Sequence, residues 1–281
     1  MKILIIGKGF IGRRCAELWG AEAVVSDRRI STVLDVTKLL AEHRPDVVLN
    51  AAGVVGKPNV DWCETHQLET SLGNVGLPLL IAEACQKASL YLLHVGSGCV
   101  FYGDSPESGG WKENDFANPL AVYSKTKYAA DLALSVLSNV GIGRIRMPID
   151  SIPYAANLID KLASYPTVVD VENSVTIIED MAAAFYQLLT KHATGIFHVV
   201  NAGTIRHREI LGLYSELVDS GHTNEWVTPE DLVRRGLAKK IRSNNILSSG
   251  NLAALGITLR PIQQALRATM EQYARAKKSA I

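Results

Sequence analysis

The sequence predicts an α/β fold, a doubly wound parallel sheet with helices on both faces and a smaller C-terminal lobe. Three observations carry this. Short apolar runs alternate with helical stretches from Lys2 to Arg146, the rhythm of βαβ units. The first run, Ile3-Leu4-Ile5-Ile6, leads directly into Gly7-Lys8-Gly9-Phe10-Ile11-Gly12. After about Met147 the alternation loosens, which marks a second lobe. A glycine loop between a strand and a helix makes the sheet Rossmann-type.

Lys2–Ile6 reads as a buried strand, followed by a helix to about Trp19. Ala23–Ser26 is a second strand and Asp35–His43 a helix. Asp46–Asn50 is a third strand that ends at Ala51-Ala52-Gly53. Asn74–Ala88 has the apolar spacing of an amphipathic helix, and Leu90–Val95 is a fourth strand. Leu120–Leu137 is a helix and Ile142–Arg146 a fifth strand. Beyond it, helices are expected near Ala155–Ser164, Glu179–Lys191, Ile205–Asp219 and Pro261–Arg275. Strands are expected near Ser174–Ile178 and Gly195–Val200. The expected division is a dinucleotide-binding domain over 1–146, with elements near 174–202 returning to it, and a mainly substrate-binding lobe over 147–281. No linker or internal repeat separates them.

The chain has 281 residues, 47% hydrophobic and 20% charged, which suits a globular protein with one large or two smaller cores. A net charge of +1 gives no general attraction to nucleic acid or to an acidic membrane. No apolar run approaches the ~20 residues of a membrane helix. The first residues are too short for a signal peptide and read as a strand. Four cysteines, Cys15, Cys63, Cys85 and Cys99, are widely spaced with no CxxC. That pattern indicates reduced thiols in a cytoplasmic chain, and neither a metal site nor a disulfide framework.

In Gly7-x-Gly9-x-x-Gly12 the glycines permit a tight turn and a close approach to a pyrophosphate resting on a helix N-terminus. Phe10 and Ile11 belong to the same cofactor contact. At the end of the second strand stand Asp27, Arg28 and Arg29. An acid there suits the ribose 2′-hydroxyl of NADH, and arginines suit the 2′-phosphate of NADPH. Two guanidiniums favour NADPH, with NADH left open by Asp27. Asp35 and Val36 are placed near the adenine, and Asn50, Ala51, Ala52 and Gly53 near the nicotinamide ribose.

Tyr123 and Lys127 are four residues apart in a predicted helix, so they share a face. A nearby ammonium favours the ionised phenol and lowers its pKa from ~10. Such a phenol exchanges protons with a carbonyl or alcohol oxygen. Ser97 lies at the carboxyl end of the fourth strand, where ligands bind in open α/β sheets. His94, of opposite register, is expected to point away from Ser97 and to be structural.

Gly7/Gly9/Gly12, Asn50-Ala51-Ala52-Gly53, Ser97, Tyr123 and Lys127 fall in the order of the extended short-chain dehydrogenase/reductase family, which the chain resembles over essentially its full length. The loop departs from that family's usual GxxGxxG. Within it, the string from Asn50 to Glu64, Tyr123-Ser-Lys-Thr-Lys127, Arg144-Ile-Arg-Met-Pro-Ile149 and Arg242-Ser-Asn-Asn245 resemble the plant-type nucleotide-rhamnose synthase/epimerase-reductases. More distant similarity runs to dTDP-4-dehydrorhamnose reductase and GDP-fucose synthase. The resemblance implies 3,5-epimerisation and NAD(P)H-dependent 4-reduction of a nucleotide-linked 4-keto-6-deoxyglucose. It implies Tyr123 as proton donor, Ser97 and Lys127 as its partners, and Cys99 and Lys161 as the epimerising base and acid. It also implies substrate contacts from Lys57, Ser97, Gly98, Cys99, Asn157, Arg242 and Asn244, with Asn245 beside them. Lys57 stands where those relatives have arginine. A homodimer is the family's frequent state. Two other readings fit the same residues, a 4-reductase without epimerase activity and a non-catalytic NADP-binding regulatory subunit.

Overall fold

The computed structural model describes residues 1–279. In chain order the elements are β1 (Ile3–Ile6), α1 (Phe10–Trp19), β2 (Ala23–Ser26), α2 (Val33–His43), β3 (Val47–Asn50), α3 (Gln67–Ser71), α4 (Leu77–Lys87) and β4 (Tyr91–Ser97). There follow α5 (Val122–Leu134), β5 (Val140–Ile145), β6 (Pro148–Ile149), α6 (Leu158–Ser164), β7 (Thr167–Val169), β8 (Glu172–Asn173) and β9 (Thr176–Ile177). The chain closes with α7 (Ile178–Lys191), β10 (Gly195–His198), β11 (Ile205–Arg206), α8 (His207–Leu217), β12 (Glu225–Val227), α9 (Pro229–Arg234), α10 (Gly250–Ala254) and α11 (Ile262–Ser279).

These elements form two units, each assembled from three stretches of chain. The first comprises Met1–Val100, Phe116–Arg144 and Ala182–Phe197; the second comprises Phe101–Asp115, Ile145–Met181 and everything from His198.

The first unit is built on a six-stranded sheet of order β10-β5-β4-β3-β1-β2. β1 pairs in parallel with β2 and β3, and β3 with β4. Every side chain of β1 and β3 is buried, which is why these strands read as unbroken apolar runs rather than alternating ones. The chain winds outward from β1 to β2, then crosses back to β3. The gap between β1 and β3 is therefore the switch point where open α/β sheets receive ligands. Leu4, Ile6 and Val48 from the strands pack with Val36 and Leu39 of α2 and Ile81 of α4. A π-helical turn over Leu72–Gly76 precedes α4 and brings Asn74 into the interior.

The second unit holds three two-stranded ladders, β6 with β9, β7 with β12 and β8 with β11. Its core joins Ile149, Ile159, Ile177, Ile210, Leu266 and Tyr273. The strand expected over Ser174–Ile178 shortens to Thr176–Ile177 and pairs with β6, not with the main sheet. The backbone before Thr176 bonds elsewhere: Ser174 N donates to Asn245 O at 3.1 Å and Val175 O accepts from Asn201 N at 3.0 Å. Thr176 Oγ1 donates to Val199 O at 2.7 Å and accepts from Arg146 N, while Ser174 Oγ accepts from Leu247 N. These hydroxyl bonds brace the short ladder, in which Thr176 pairs with Pro148.

Candidate active site

The glycine loop is shaped by close approaches. Gly7 has a φ of 106°, and a Cβ there would lie 2.5 Å from Ala52 N. A Cβ on Gly12 would sit 2.0 Å from Gly7 O. These two glycines thus let β1 turn against the end of β3 and let α1 close onto the loop. Gly9 caps α1 without a side-chain bond, and a Cβ there would meet nothing within 4 Å. The GxGxxG spacing therefore leaves its open space at the N-terminus of α1, where the helix favours an anionic group. This is a fit for the pyrophosphate of a dinucleotide.

Around the adenosine end the expectations are revised. Arg28 forms a two-pronged pair with Glu42, at 2.6 and 3.0 Å. Asp27 lies 3.9 Å from Lys8. Asp35 closes a capping box at the start of α2, accepting from Ser31 N at 3.0 Å and Thr32 N at 2.9 Å. Those backbone bonds hold its carboxyl below the usual range. Val36 is fully buried in the core. The acid expected near the adenine is also a helix cap, because the threonine three residues before it satisfies the reciprocal bond.

At the end of β3, Ala51 N donates to Ile6 O at 2.9 Å, tying the strand end to β1. Asn50 is also revised, from ribose contact to strut. It is fully buried, its Oδ1 accepts from Ala52 N at 3.0 Å, and its Nδ2 lies 3.0 Å from His94 Nδ1. Asn50 and His94 face each other in the register of β3 and β4. Gly53 leaves room for Asn74, whose amide bonds Val54 N and Val54 O.

Ser97 ends β4, and a turn of 3₁₀ helix over Gly98–Val100 carries Gly98 and Cys99. Ser97 Oγ accepts from Cys99 N at 3.2 Å and is hydrogen-bonded to the Tyr123 phenol. Cys99 is half-buried and interacts electrostatically with Tyr123. The hydroxyl, the thiol and the phenol therefore converge at the carboxyl end of β4.

Tyr123 and Lys127 lie on α5 as their spacing predicted. The electrostatics differ from the expectation. Burial, with Cys99 adding to it, pushes the Tyr123 phenol well above its ordinary value, against the pull of the Ser97 bond. The ammonium that was to lower it is turned elsewhere. Lys127 Nζ lies 3.0 Å from His94 Nε2 and donates to Val95 O at 2.8 Å. Burial pulls Lys127 down to about 8, opposed by Asp131. Burial and then Lys127 keep His94 well below the ordinary imidazole range. At neutral pH the site thus presents a protonated phenol, fit to donate rather than accept.

Several positioning residues were not read from the sequence. Asp131 and Arg144 form a buried pair, Nε to Oδ2 at 2.8 Å, one helical turn beyond Lys127. Gly96 allows it: a Cβ there would fall 3.0 Å from Arg144 Cγ. Glu64 Oε1 accepts from Val122 N at 2.8 Å and caps α5, whose own N-cap residue, Ala121, offers no side-chain bond. Asn74 Nδ2 donates to Thr126 Oγ1 at 3.1 Å. Each of these contacts spans a long stretch of chain, so no local pattern announces it; only Asp131, at i+4 from Lys127, left a signal.

Lys57 is exposed on the loop after β3. The remaining expected residues lie in the second unit. Lys161 is half-buried in the last turn of α6. Asn157 is the N-cap of α6 and fully buried, and its amide is engaged with Ile159 N, Asp150 N, Asp150 O and Ile152 O. Arg242 and Asn244 are half-buried. The strip between and beyond them is pinned, since Ser243 Oγ and Asn245 Nδ2 both donate to Phe101 O, at 2.6 and 2.8 Å. Among the described residues there is no acidic, histidine or cysteine cluster fit for a metal, and no helix long and apolar enough to cross a membrane.

Residues 1–275 match the family model described as RmlD substrate binding domain. The chain is 36% identical over 273 residues to a bifunctional dTDP-4-dehydrorhamnose 3,5-epimerase/dTDP-4-dehydrorhamnose reductase of Arabidopsis thaliana, covering 94% of this chain and 90% of that one. Its fold superposes on a UDP-rhamnose synthase from Acanthamoeba polyphaga mimivirus with a TM-score of 0.88, at 30% identity, over 97% and 99% of the two chains. A dTDP-4-dehydrorhamnose reductase from Bacillus anthracis solved with NADP shares the fold, with a TM-score of 0.80 at 19% identity over 97% and 98%.

Proposed function

The chain belongs to the RmlD substrate binding domain family, and from that premise we propose that it is a bifunctional 3,5-epimerase/4-reductase. Its substrate is a nucleoside diphosphate-linked 4-keto-6-deoxyglucose, and its product the corresponding rhamnose nucleotide. The observation that carries this reading is the convergence of Ser97, Cys99 and Tyr123 at the end of β4. A reductase needs only the hydroxyl and the phenol; the thiol beside them supplies a base for the neighbouring carbons.

The 4-ketone acidifies the hydrogens on C3 and C5. Cys99, as thiolate, removes such a hydrogen, and Ser97 and Tyr123 hydrogen-bond the enolate oxygen as charge grows on it. Lys161 supplies the proton on the other face. A bound NADPH supplies the hydride to C4. Tyr123, kept protonated by its burial, then gives its proton to the C4 oxygen while Ser97 holds that oxygen in place.

The glycine loop and the N-terminus of α1 hold the pyrophosphate, with Phe10, Ile11, Ala51, Ala52 and Gly53 alongside. Arg28 binds the 2′-phosphate of NADPH by exchanging Glu42 for it, since one guanidinium fork suits either partner. Lys57, Gly98, Arg242 and Asn244 contact the substrate, the arginine at its diphosphate. Four thiols without a disulfide support a cytoplasmic protein. Exposed Leu79 on α4, Leu132 on α5 and Val136 just beyond it support a homodimer through those helices.

The test offers UDP- and dTDP-4-keto-6-deoxyglucose in D₂O with NADPH or NADH and identifies the product sugar by NMR. Rhamnose nucleotide deuterated at C3 and C5 is expected. Cys99→Ala should abolish that exchange while still reducing a pre-epimerised 4-keto-rhamnose nucleotide. Exchange unchanged in the variant removes Cys99 from the mechanism, and a wild-type enzyme that reduces without exchange is a 4-reductase alone.

A further inference from the structure

His94 is fully buried, three residues before Ser97, and the chemistry above does not use it. Its ring is gripped on both sides, by Asn50 Nδ2 at 3.0 Å from Nδ1 and by Lys127 Nζ at 3.0 Å from Nε2. The Asn50 amide has one orientation, because its Oδ1 accepts from Ala52 N. The group facing Nδ1 is therefore –NH₂, a donor. Nδ1 must then be the acceptor, and a neutral imidazole carries its single proton on Nε2. That proton points at Lys127 Nζ. Two donors cannot share this line, so Nζ must offer a lone pair while its own hydrogen goes to Val95 O.

We propose that His94 is a positioning residue that, as the Nε2–H tautomer, holds Lys127 as the neutral amine in the resting enzyme and couples its charge to the Asn50 amide. The use of that charge in catalysis rests on the function proposed above. Charging Lys127 requires one proton, taken up at His94 Nδ1. Nε2 then passes its proton to Nζ, the ring becomes the Nδ1–H tautomer, and the Asn50 amide turns to present Oδ1 to it. Ala52 N–H, at the end of β3 beside Gly7, loses its acceptor in the exchange. One proton enters and one positive charge appears, on Lys127. In the amine state Tyr123 stays a phenol; in the ammonium state its phenolate is favoured.

The groups facing Lys127 are consistent with such a balance. β4 contributes His94 and the Val95 carbonyl, and α5 contributes Tyr123 and Asp131 one turn to either side. Arg144 of β5 neutralises Asp131, and Cys99 and Cys63 lie beside Tyr123. Burial lowers Lys127 to about 8, which by itself leaves it mostly charged at pH 7; the Nε2–H tautomer acts in the same direction and carries it the rest of the way to the amine.

The test is two-bond ¹H–¹⁵N spectroscopy of the [¹⁵N]histidine-labelled enzyme, without cofactor or substrate, at pH 7. His94 is identified by the signal that His94→Gln removes. If that variant does not fold, the one histidine whose tautomer responds to Asn50→Asp identifies it. The wild-type ring should be protonated at Nε2 and bare at Nδ1. Asn50→Asp, which puts an oxygen where the –NH₂ was, should invert the tautomer. It should also raise the titration midpoint of ¹⁵Nζ-labelled Lys127 by about one pH unit or more. A wild-type ring protonated at Nδ1 or at both nitrogens, or a tautomer unmoved by Asn50→Asp, overturns the proposal. Because no turnover is read, a chain inactive on every nucleotide sugar leaves this result intact, and the two readings fail separately.

Discussion

Lys127 is 5% exposed, with its nitrogen drawn beneath β4. An open-chain lysine titrates at 10.5, and burial brings this one to about 8. The unfolded chain therefore binds this proton more tightly than the folded one. The cost to stability grows as pH falls from 10.5 and is full only below the folded-state value, which burial alone sets at about 8 and the His94 tautomer lowers further. Its size is on the order of 3 kcal/mol. Lys127→Met should gain stability relative to the wild type at pH 7, and the difference should shrink by pH 10. Urea unfolding at both values reads this, and a pH-independent difference would contradict it. Tyr123, Lys127 and Ser97 were legible because helical spacing and a strand's carboxyl end fix their placement locally. The direction of the Tyr123 shift was not, since it depends on burial and on Cys99. Asn50 was misread for a different reason: its side chain is consumed by a backbone N–H two residues on, which spacing does not reveal.

Among the elements, α2 shows a helix cap standing where the sequence suggested a cofactor contact. Thr32 and Asp35 form a reciprocal cap. Asp35→Ala should cost about 1 kcal/mol in urea unfolding. It should leave the NADPH dissociation constant unchanged, and a weakened Kd at unaltered stability would restore Asp35 to the adenine site. The strands β1 and β3 were readable because their apolar runs are continuous and bounded by turn residues, whereas β5, interrupted by Gly141, Gly143 and Arg144, begins at Val140, two residues before the expected Ile142. The short ladders of the second unit were not readable. β7, β8 and β12 span two or three residues each, too few to show a period. The end of α5 nearest Tyr123 depends on Glu64, a carboxylate reaching 58 positions along the chain. A helix that looks uncapped in sequence is thus anchored at the residue before Tyr123.

At the scale of the molecule, the expected return of later chain to the first unit is narrower than 174–202, namely Ala182–Phe197, and Phe101–Asp115 leaves it for the second. The outward excursion escaped notice because it contains no helix or strand of its own, only turns between two well-marked elements. Since each unit is stitched from three stretches, neither can come apart without releasing segments that continue into the other. Urea unfolding should therefore show coincident midpoints for the two units. A Trp111→Phe/Trp226→Phe variant reports the first through Trp19 and Trp62, and the reverse pair reports the second. Separate midpoints would show that the units unfold independently. The same threading governs the order in which the protein can be made. β10, the outer neighbour of β5, is encoded at Gly195–His198, some fifty residues after it. While the ribosome works through that interval, β5 presents a bare row of amides and carbonyls to the surrounding solution. The nascent chain is then most open to adhesion by other strands and most in need of a chaperone, and that exposure ends only when residue 198 has left the exit tunnel.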